Sequence, residues 1–377
     1  MKKVINVDDL RRLAKRRLPT ICYDFIEGGT DDEIGLAANE QAFRQARIVP
    51  RYLIDVSVRD QSTNLFGCTF SSPLGIAPTG SADMFRRGAD LMLAQASRDA
   101  NVPFIMSGVS SSSLEDLGQL APDHGWYQLY PAIDPLISED MIKRVRNAGL
   151  KTLVLTVDVP EASNRERCIR NGWGPAMRPS WKAKVEALRH PLWMMQWLRN
   201  DAPYFGNWTR YAGPSASARM VAEFVMSQFG APLTWNNVER YRQLWEGNLV
   251  LKGIMHPADA VRAGSIGVDG VIVSNHGGRQ LDNAPSPLEV LPTIHEAVGD
   301  RMTVMLDGGV RRGLHVLLAI CMGAKFVFQG RPTLYGVTVG GIAGAAKALA
   351  IFRREIDISM AQIGATRIAD LGKHYLM

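Results

Sequence analysis

Eight short apolar runs recur along the chain with helical patterns filling most of the gaps. That rhythm restricts the fold more than any single motif. The runs are Leu74–Ala77, Pro103–Met106, Trp126–Leu129, Leu153–Thr156, Leu249–Leu251, Gly270–Val273, Thr303–Leu306 and Phe326–Phe328. Runs of this length bounded by turn residues read as buried strands. Helical patterns cover Asp90–Asp99, Ser138–Ala148, Pro257–Ala263, Pro287–Val298, Leu314–Met322 and Thr338–Arg353. Strands alternating with helices build parallel βαβ units, and eight of them predict an α/β fold of the closed (β/α)8 TIM barrel type. No G-x-G-x-x-G follows the first strand, which argues against an open dinucleotide-binding sheet. The 377 residues read as one domain over 1–377, a length that such barrels reach.

Before the barrel, Asp8 caps a helix carrying Leu10, Leu13, Ala14 and Leu18. Pro19 ends or kinks it, Ile21 to Ile26 restart it, and Gly28-Gly29 closes that piece. The segment Gln61–Phe70 reads as a short surface hairpin.

Each strand runs into a polar or glycine-rich tail. The tails are Pro78-Thr79-Gly80, Ser107-Gly108, Gln128 with Tyr130, Thr156 with Asp158, Lys252-Gly253, Ser274-Asn275-His276-Gly277-Gly278-Arg279, Asp307-Gly308-Gly309-Val310-Arg311 and Gln329-Gly330-Arg331. Barrel active sites are built at the carboxyl ends of the strands, so eight such tails predict one site on one rim. His276 and Arg279 are a proton carrier and a fixed cation at the end of a buried strand, and are expected to face the same bound molecule. Asp158 is placed to orient His276 and hold its imidazolium. Lys252 suits either a Schiff base, as in barrel aldolases, or a fixed charge against a cofactor. Gly308, Gly309 and Gly330 expose backbone N–H groups, and Arg311 and Arg331 add charge, which predicts a phosphate cradle after the last two strands. His295 and His315 read as structural hydrogen-bonders.

About ninety residues separate the fourth strand from the fifth. The insertion over 173–214 carries Trp181, Trp193, Met194, Met195, Trp197 and Trp208, interleaved with Arg178, Lys182, Lys184, Arg189, Arg199 and Arg210. Tryptophan mixed with cations suits a membrane interface; a lid or subunit contact would bury the same aromatics. The net charge is +6, which suits anionic substrates, a membrane surface or nucleic acid; no block of five like charges appears, and no nucleic-acid partner is expected. Cys22, Cys68, Cys168 and Cys321 are scattered, so neither a disulfide framework nor a metal site is expected. Asp8 and Asp9 precede any apolar core, so no signal peptide is read. The expected location is cytoplasmic, peripheral on the inner face of the membrane.

The run Ser274-Asn275-His276-Gly277-Gly278-Arg279-Gln280-Leu281-Asp282 resembles the active-site signature of the FMN-dependent 2-hydroxy acid oxidising enzymes, a group that includes glycolate oxidase, lactate dehydrogenase and (S)-mandelate dehydrogenase. The likeness covers nearly the whole chain. Glu27-Gly28-Gly29, Gly80 and the tryptophan-bearing insertion look most like the mandelate and lactate dehydrogenases. The resemblance implies oxidation of an (S)-2-hydroxy acid to the 2-oxo acid, with electrons passing to FMN and then to a quinone or other acceptor. It implies that His276 is the base, supported by Asp158, that Arg279 and Arg165 bind the substrate carboxylate, and that Tyr130 hydrogen-bonds the hydroxyl. Lys252 would stabilise charge on the reduced flavin. Pro78, Thr79, Gly80, Ser107, Gln128, Thr156 and Ser274 would line the flavin. Asp307 would hold its ribityl chain, and Gly308, Gly309, Arg311, Gly330 and Arg331 its phosphate. It also implies a tetramer.

Two departures bear on the substrate. Most of the group has a second carboxylate-binding tyrosine where this chain has Phe25, which predicts weaker carboxylate binding, or a larger or less acidic substrate such as an ester, amide or biosynthetic intermediate. Val109 stands where glycolate oxidase has a tryptophan, which opens room for an aryl or longer alkyl acid. Gly80 stands where the oxidases tend to have alanine, so a dehydrogenase is expected rather than an enzyme using O2.

Overall fold

The strand rhythm closes on itself. In the computed structural model, which describes residues 3–173, 180–199 and 205–377, eight parallel strands form a barrel. They are β1 (Leu74–Ile76), β2 (Phe104–Met106), β3 (Gly125–Leu129), β4 (Thr152–Thr156), β5 (Asn248–Ile254), β6 (Gly270–Val273), β7 (Thr303–Leu306) and β8 (Phe326–Gln329). Each pairs with its sequence neighbour, and β8 pairs back onto β1. The ends of β6 and β7 agree with the sequence reading, and the other six differ by a residue or so at an end, or three on β5.

Helix starts follow local chemistry. The helix Pro287–Val298 begins at Ser286, which exchanges hydrogen bonds with Glu289 in a capping box and is followed by proline at the first helical position. The helix Pro135–Asn147 begins likewise, with Asp134 accepting from the Leu136 N–H. The last helix starts earlier than the apolar pattern suggests. It runs Arg331–Ile363, bends at Gly341, and lies largely buried on the body of the protein.

Strand residues alternate between two cores. Phe104, Met106, Leu153, Leu155, Leu249, Leu251, Val271 and Val273 face the surrounding helices. Ile105, Trp126, Val154, Val250, Ile272, Met305, Phe326 and Phe328 fill the barrel interior. The hairpin (Thr63–Leu65 paired with Cys68–Phe70) belongs to the second core. Leu65 and Phe70 are buried there, and Phe70 meets the Phe326 ring edge-on at 5.8 Å. The hairpin therefore plugs the amino-terminal mouth of the barrel and is not a free surface feature. Its exposed Asn64 and Thr69 account for the polar look of the segment.

Three helices precede the barrel: α1 (Val7–Arg17), α2 (Thr20–Glu27) and α3 (Ile34–Gln45). The α2 and α3 helices reach the opposite, carboxyl-terminal rim.

Candidate active site

The same alternation that fills the barrel also builds the site. Two residues on from Ile105, Trp126, Val154, Val250, Ile272 and Met305 come Ser107, Gln128, Thr156, Lys252, Ser274 and Asp307. All six polar side chains are buried. Two residues further along three of these strands come Tyr130, Asp158 and His276. An inward-facing apolar position thus gives way to an inward-facing polar one at the carboxyl end of each of these six strands.

His276 is held by its neighbours. Its Nδ1 lies 2.9 Å from Asp158 Oδ1, and its backbone N–H donates to Ser274 Oγ at 3.1 Å. Since a carboxylate only accepts, Nδ1 carries the proton and Nε2 is free, 3.5 Å from the Tyr130 hydroxyl. Burial lowers the imidazole's affinity for a proton, Asp158 opposes that and Lys252 adds to it, with a net downward shift. Burial pushes the Tyr130 phenol up to about 12, so it stays protonated. Burial works against the Lys252 ammonium, but Asp307 at 3.3 Å and Asp158 outweigh it, and its pKa is raised. Gly253 has φ 104°, and a Cβ there would sit 2.5 Å from Asp158 Cβ, so only glycine lets Asp158 approach.

Two guanidiniums stand beside this pair without a carboxylate partner among the described residues. Arg279 donates Nη1 to the carbonyls of Phe25 and Gly28, at 2.6 and 2.9 Å. Arg165 donates to Ser163, Gln280 and the Arg279 carbonyl. Burial first, then their mutual repulsion and Arg331, holds Arg279 well below its ordinary pKa. Burial lowers Arg165 as well. Phe25 lies 4.8 Å under the Arg279 guanidinium and stacks at 4.2 Å on Trp173 from the insertion. Gly80 and Val109 line the same cavity, and a Cβ on Gly80 would meet Val109 Cγ2 at 2.6 Å. In this chain Gly80 therefore has a steric reason of its own.

The cavity runs from this cluster to the tails of β7 and β8. Pro78, Thr79, Gly80, Tyr130, Lys252, His276 and Arg279 line one part, and Asp307, Gly308, Gly309, Arg311, Gly330 and Arg331 the other. Phe25, Val109 and Arg165 also line it. Ser107, Gln128, Thr156, Asp158 and Ser274 stand just behind. Arg331 donates to the carbonyls of Ile26, Gly277 and Gly28, and Arg311 reaches Glu40 at 3.2 Å. Burial, with Arg311 next to it, lowers Arg331.

Five buried polar atoms at this end of the barrel lack a partner among the described residues: Gln128 Nε2, Thr156 Oγ1, Asp158 Oδ2, Asp307 Oδ1 and Gln329 Nε2. Buried polar atoms without partners are rare in a finished interior. A planar, hydrogen-bonding group with an anionic tail fits such a cavity, and FMN is of that kind. Gln329 stood in the strand tail Gln329-Gly330-Arg331 read from the sequence but, unlike Gln128, was given no role there. Trp173 carried no local signal, because its place on Phe25 depends on how the insertion folds back.

The insertion divides its aromatics. Trp193 is buried and donates to the Met84 carbonyl at 2.8 Å, and Trp208 is buried and donates to the Gly108 carbonyl at 2.8 Å. Trp181 is 78% exposed, and Val185, Leu188, Leu192 and Met195 are exposed with it. Arg178 and the side chains of Trp197 and Arg199 lie outside the described residues.

A closed parallel barrel whose carboxyl-terminal rim joins a part-buried histidine–carboxylate pair to a flavin-compatible cavity is the architecture of a (β/α)8 oxidoreductase. Residues 14–377 match the family model described as FMN-dependent dehydrogenase, and the chain belongs to that family. FMN is accordingly its cofactor, and its reaction class is the oxidation of a 2-hydroxy acid. It is 38% identical over 375 residues to an (S)-mandelate dehydrogenase of Pseudomonas putida, covering 100% of this chain and 94% of that protein. It is 35% identical to an L-lactate dehydrogenase of Caulobacter vibrioides, covering 99% and 97%. The crystal structure of the monotopic membrane protein (S)-mandelate dehydrogenase superposes with a TM-score of 0.95 at 37% identity, covering 100% of this chain and 99% of that one.

Proposed function

We propose that the chain oxidises an (S)-2-hydroxy acid with an aryl or similarly bulky side chain, mandelate-like, to the 2-oxo acid. The observation that carries this reading is the pair Arg165 and Arg279, half-buried and without a carboxylate partner among the described residues, beside His276 and Asp158. Cations drawn partly out of water without a counter-charge are costly, and a substrate carboxylate supplies one. Arg279 keeps Nε and Nη2 for that carboxylate, and a guanidinium fits two oxygens at once. His276, neutral and with Nδ1–H fixed on Asp158, takes the substrate proton at Nε2. Asp158 then stabilises the imidazolium. Tyr130 donates to the hydroxyl oxygen. Val109 and Gly80 leave room for the side chain.

Ser107, Gln128, Thr156, Lys252, Ser274 and the Pro78–Gly80 turn would hold the flavin ring of FMN. Asp307 would hold the ribityl chain, and Gly308, Gly309, Arg311, Gly330 and Arg331 the phosphate. FMN, when bound, would supply the two-electron acceptor for the oxidation, with a quinone or other external acceptor expected to take the electrons on. Lys252 stays protonated and offers a fixed positive charge where negative charge develops. The exposed Trp181, Leu188 and Leu192, set among Lys182, Lys184 and Arg189, would rest the enzyme on an anionic membrane surface.

The test is the visible spectrum of the purified protein during anaerobic addition of mandelate, lactate and glycolate. Bleaching of the flavin absorbance is expected with mandelate first and glycolate last. If none of the acids bleaches it, the reading fails. Phe25 favours a second reading, in which the substrate is less acidic; faster bleaching by mandelamide or a mandelate ester than by mandelate would select it. The variant Phe25→Tyr restores a hydroxyl beside the carboxylate site. It is expected to lower KM for mandelate by about tenfold or more, since a hydrogen bond to a charged group contributes about 1.5–3 kcal/mol. An unchanged KM means that Phe25 has no part in substrate choice.

A further inference from the structure

The phosphate end of the cavity is a loop whose usefulness depends on a fixed backbone. Gly308 and Gly309 have φ of 100° and 74°, and the loop is pressed against α3 so closely that a Cβ on Gly309 would lie 2.2 Å from the Asn39 carbonyl oxygen. Asn39 is itself locked, exchanging two hydrogen bonds with Asn275 at 2.8 and 2.7 Å. One side of the loop is thus held by the chain segment that precedes the barrel.

The other side is held by His315, on the third residue of the helix Gly313–Cys321. The Arg311 N–H donates to His315 Nδ1 at 3.2 Å. The imidazole lies flat on the buried Phe43 ring of α3, with centroids 4.4 Å apart and planes 5° from parallel. Glu40, one turn from Phe43, takes the Arg311 guanidinium. Burial, with Arg311, Arg312 and Arg44 adding to it and a Gly309 backbone hydrogen bond opposing, pushes the His315 pKa down to about 4. The ring therefore stays neutral, and Nδ1 stays an acceptor.

We infer that His315, braced by Phe43, is a positioning residue for the cofactor phosphate: it fixes the Arg311 backbone and thereby the direction of the loop's N–H groups. The inference rests on the assignment of the Gly308–Arg311 loop to the FMN phosphate. A merely structural histidine would affect all ligands of the barrel alike. A phosphate-loop bracket affects FMN and spares riboflavin, which has the ring and the ribityl chain but no phosphate.

The experiment measures the dissociation constants of FMN and of riboflavin for the full-length protein by flavin fluorescence. His315→Leu keeps bulk and removes the acceptor; His315→Asn offers an amide oxygen in its place; Arg311→Met tests the phosphate site itself. His315→Leu is expected to weaken FMN on the order of tenfold, as for the loss of one part-buried hydrogen bond that fixes the loop. Riboflavin binding should change less than about twofold, and His315→Asn should recover most of the FMN affinity. If Arg311→Met weakens FMN and His315→Leu does not, the inference is overturned and the phosphate site stands. If Arg311→Met also has no effect, the phosphate assignment falls. Equal weakening of FMN and riboflavin by His315→Leu also overturns the inference. Should His315→Leu fail to fold, Phe43→Leu leaves Nδ1 but removes its stack. It is expected to weaken FMN by about threefold without affecting riboflavin, and an unchanged FMN constant overturns the inference there too.

Discussion

His276 has φ 58°, in the left-handed region that a residue with a Cβ enters at a cost of about 1–2 kcal/mol. Gly277 and Gly278 continue in that region, and Ser274 Oγ accepts from the His276 N–H. The strained turn sets the imidazole against Asp158 instead of letting the strand run on. Its protonation then decides the pH behaviour. A base must be neutral, and burial places the His276 pKa below the ordinary value despite Asp158. A lowered pKa means the neutral form persists to lower pH. The acid limb of kcat/KM should therefore have its midpoint below about 6.5, the unperturbed histidine value. In Asp158→Asn the charge that opposes the downward shift is gone, so the midpoint should move lower still. At the same time kcat should fall by roughly a hundredfold or more, because the imidazolium loses its partner. A pH–rate profile of the two proteins decides; a parent midpoint above 6.5 rules out His276 as the titrating base in this environment.

The barrel strands were legible because a buried parallel strand is apolar on both faces, and the polar tails were legible because they interrupt that pattern. Inward direction was legible too, by counting in twos from Val154 to Thr156 and Asp158, or from Ile272 to Ser274 and His276. What a surface covers was not. Leu65 and Phe70 alternate with Asn64 and Thr69 as in any half-buried hairpin, and nothing local says that the barrel floor lies beneath. For the same reason Trp173 on Phe25, and Phe43 under His315, were out of reach: each joins elements far apart in the chain. Carrying the hairpin into the inner core has a consequence for stability. Phe70 packs against Phe326 and His124 at the end of the barrel remote from His276. Phe70→Ala should cost about 3–5 kcal/mol, the range for a large aromatic removed from a core. It should leave KM unchanged at a temperature where the variant is folded. Guanidinium unfolding monitored by tryptophan fluorescence measures it, and a loss under about 1 kcal/mol would show that the hairpin does not plug the barrel.

Over the whole molecule, net charge and exposed apolar surface point the same way. The chain carries +6, and its insertion presents Trp181, Leu188 and Leu192 next to Lys182, Lys184 and Arg189. Trp193 and Trp208 fasten the same segment to the barrel body through the Met84 and Gly108 carbonyls. On the proposed membrane reading, an insertion anchored at those points and apolar at its exposed helices would hold a membrane surface beside the active-site rim. Each exposed side chain that leaves water gains roughly 25 cal/mol per Å2, and cations add attraction to anionic headgroups that salt screens. The protein should therefore sediment with anionic phospholipid vesicles, less so in high salt. Changing Trp181, Leu188 and Leu192 together to serine should weaken the partition by about tenfold or more while leaving flavin bleaching by mandelate intact. A subunit contact at the same patch would instead show as a change of oligomeric state on gel filtration. Unchanged sedimentation of the triple variant rules out the membrane contact.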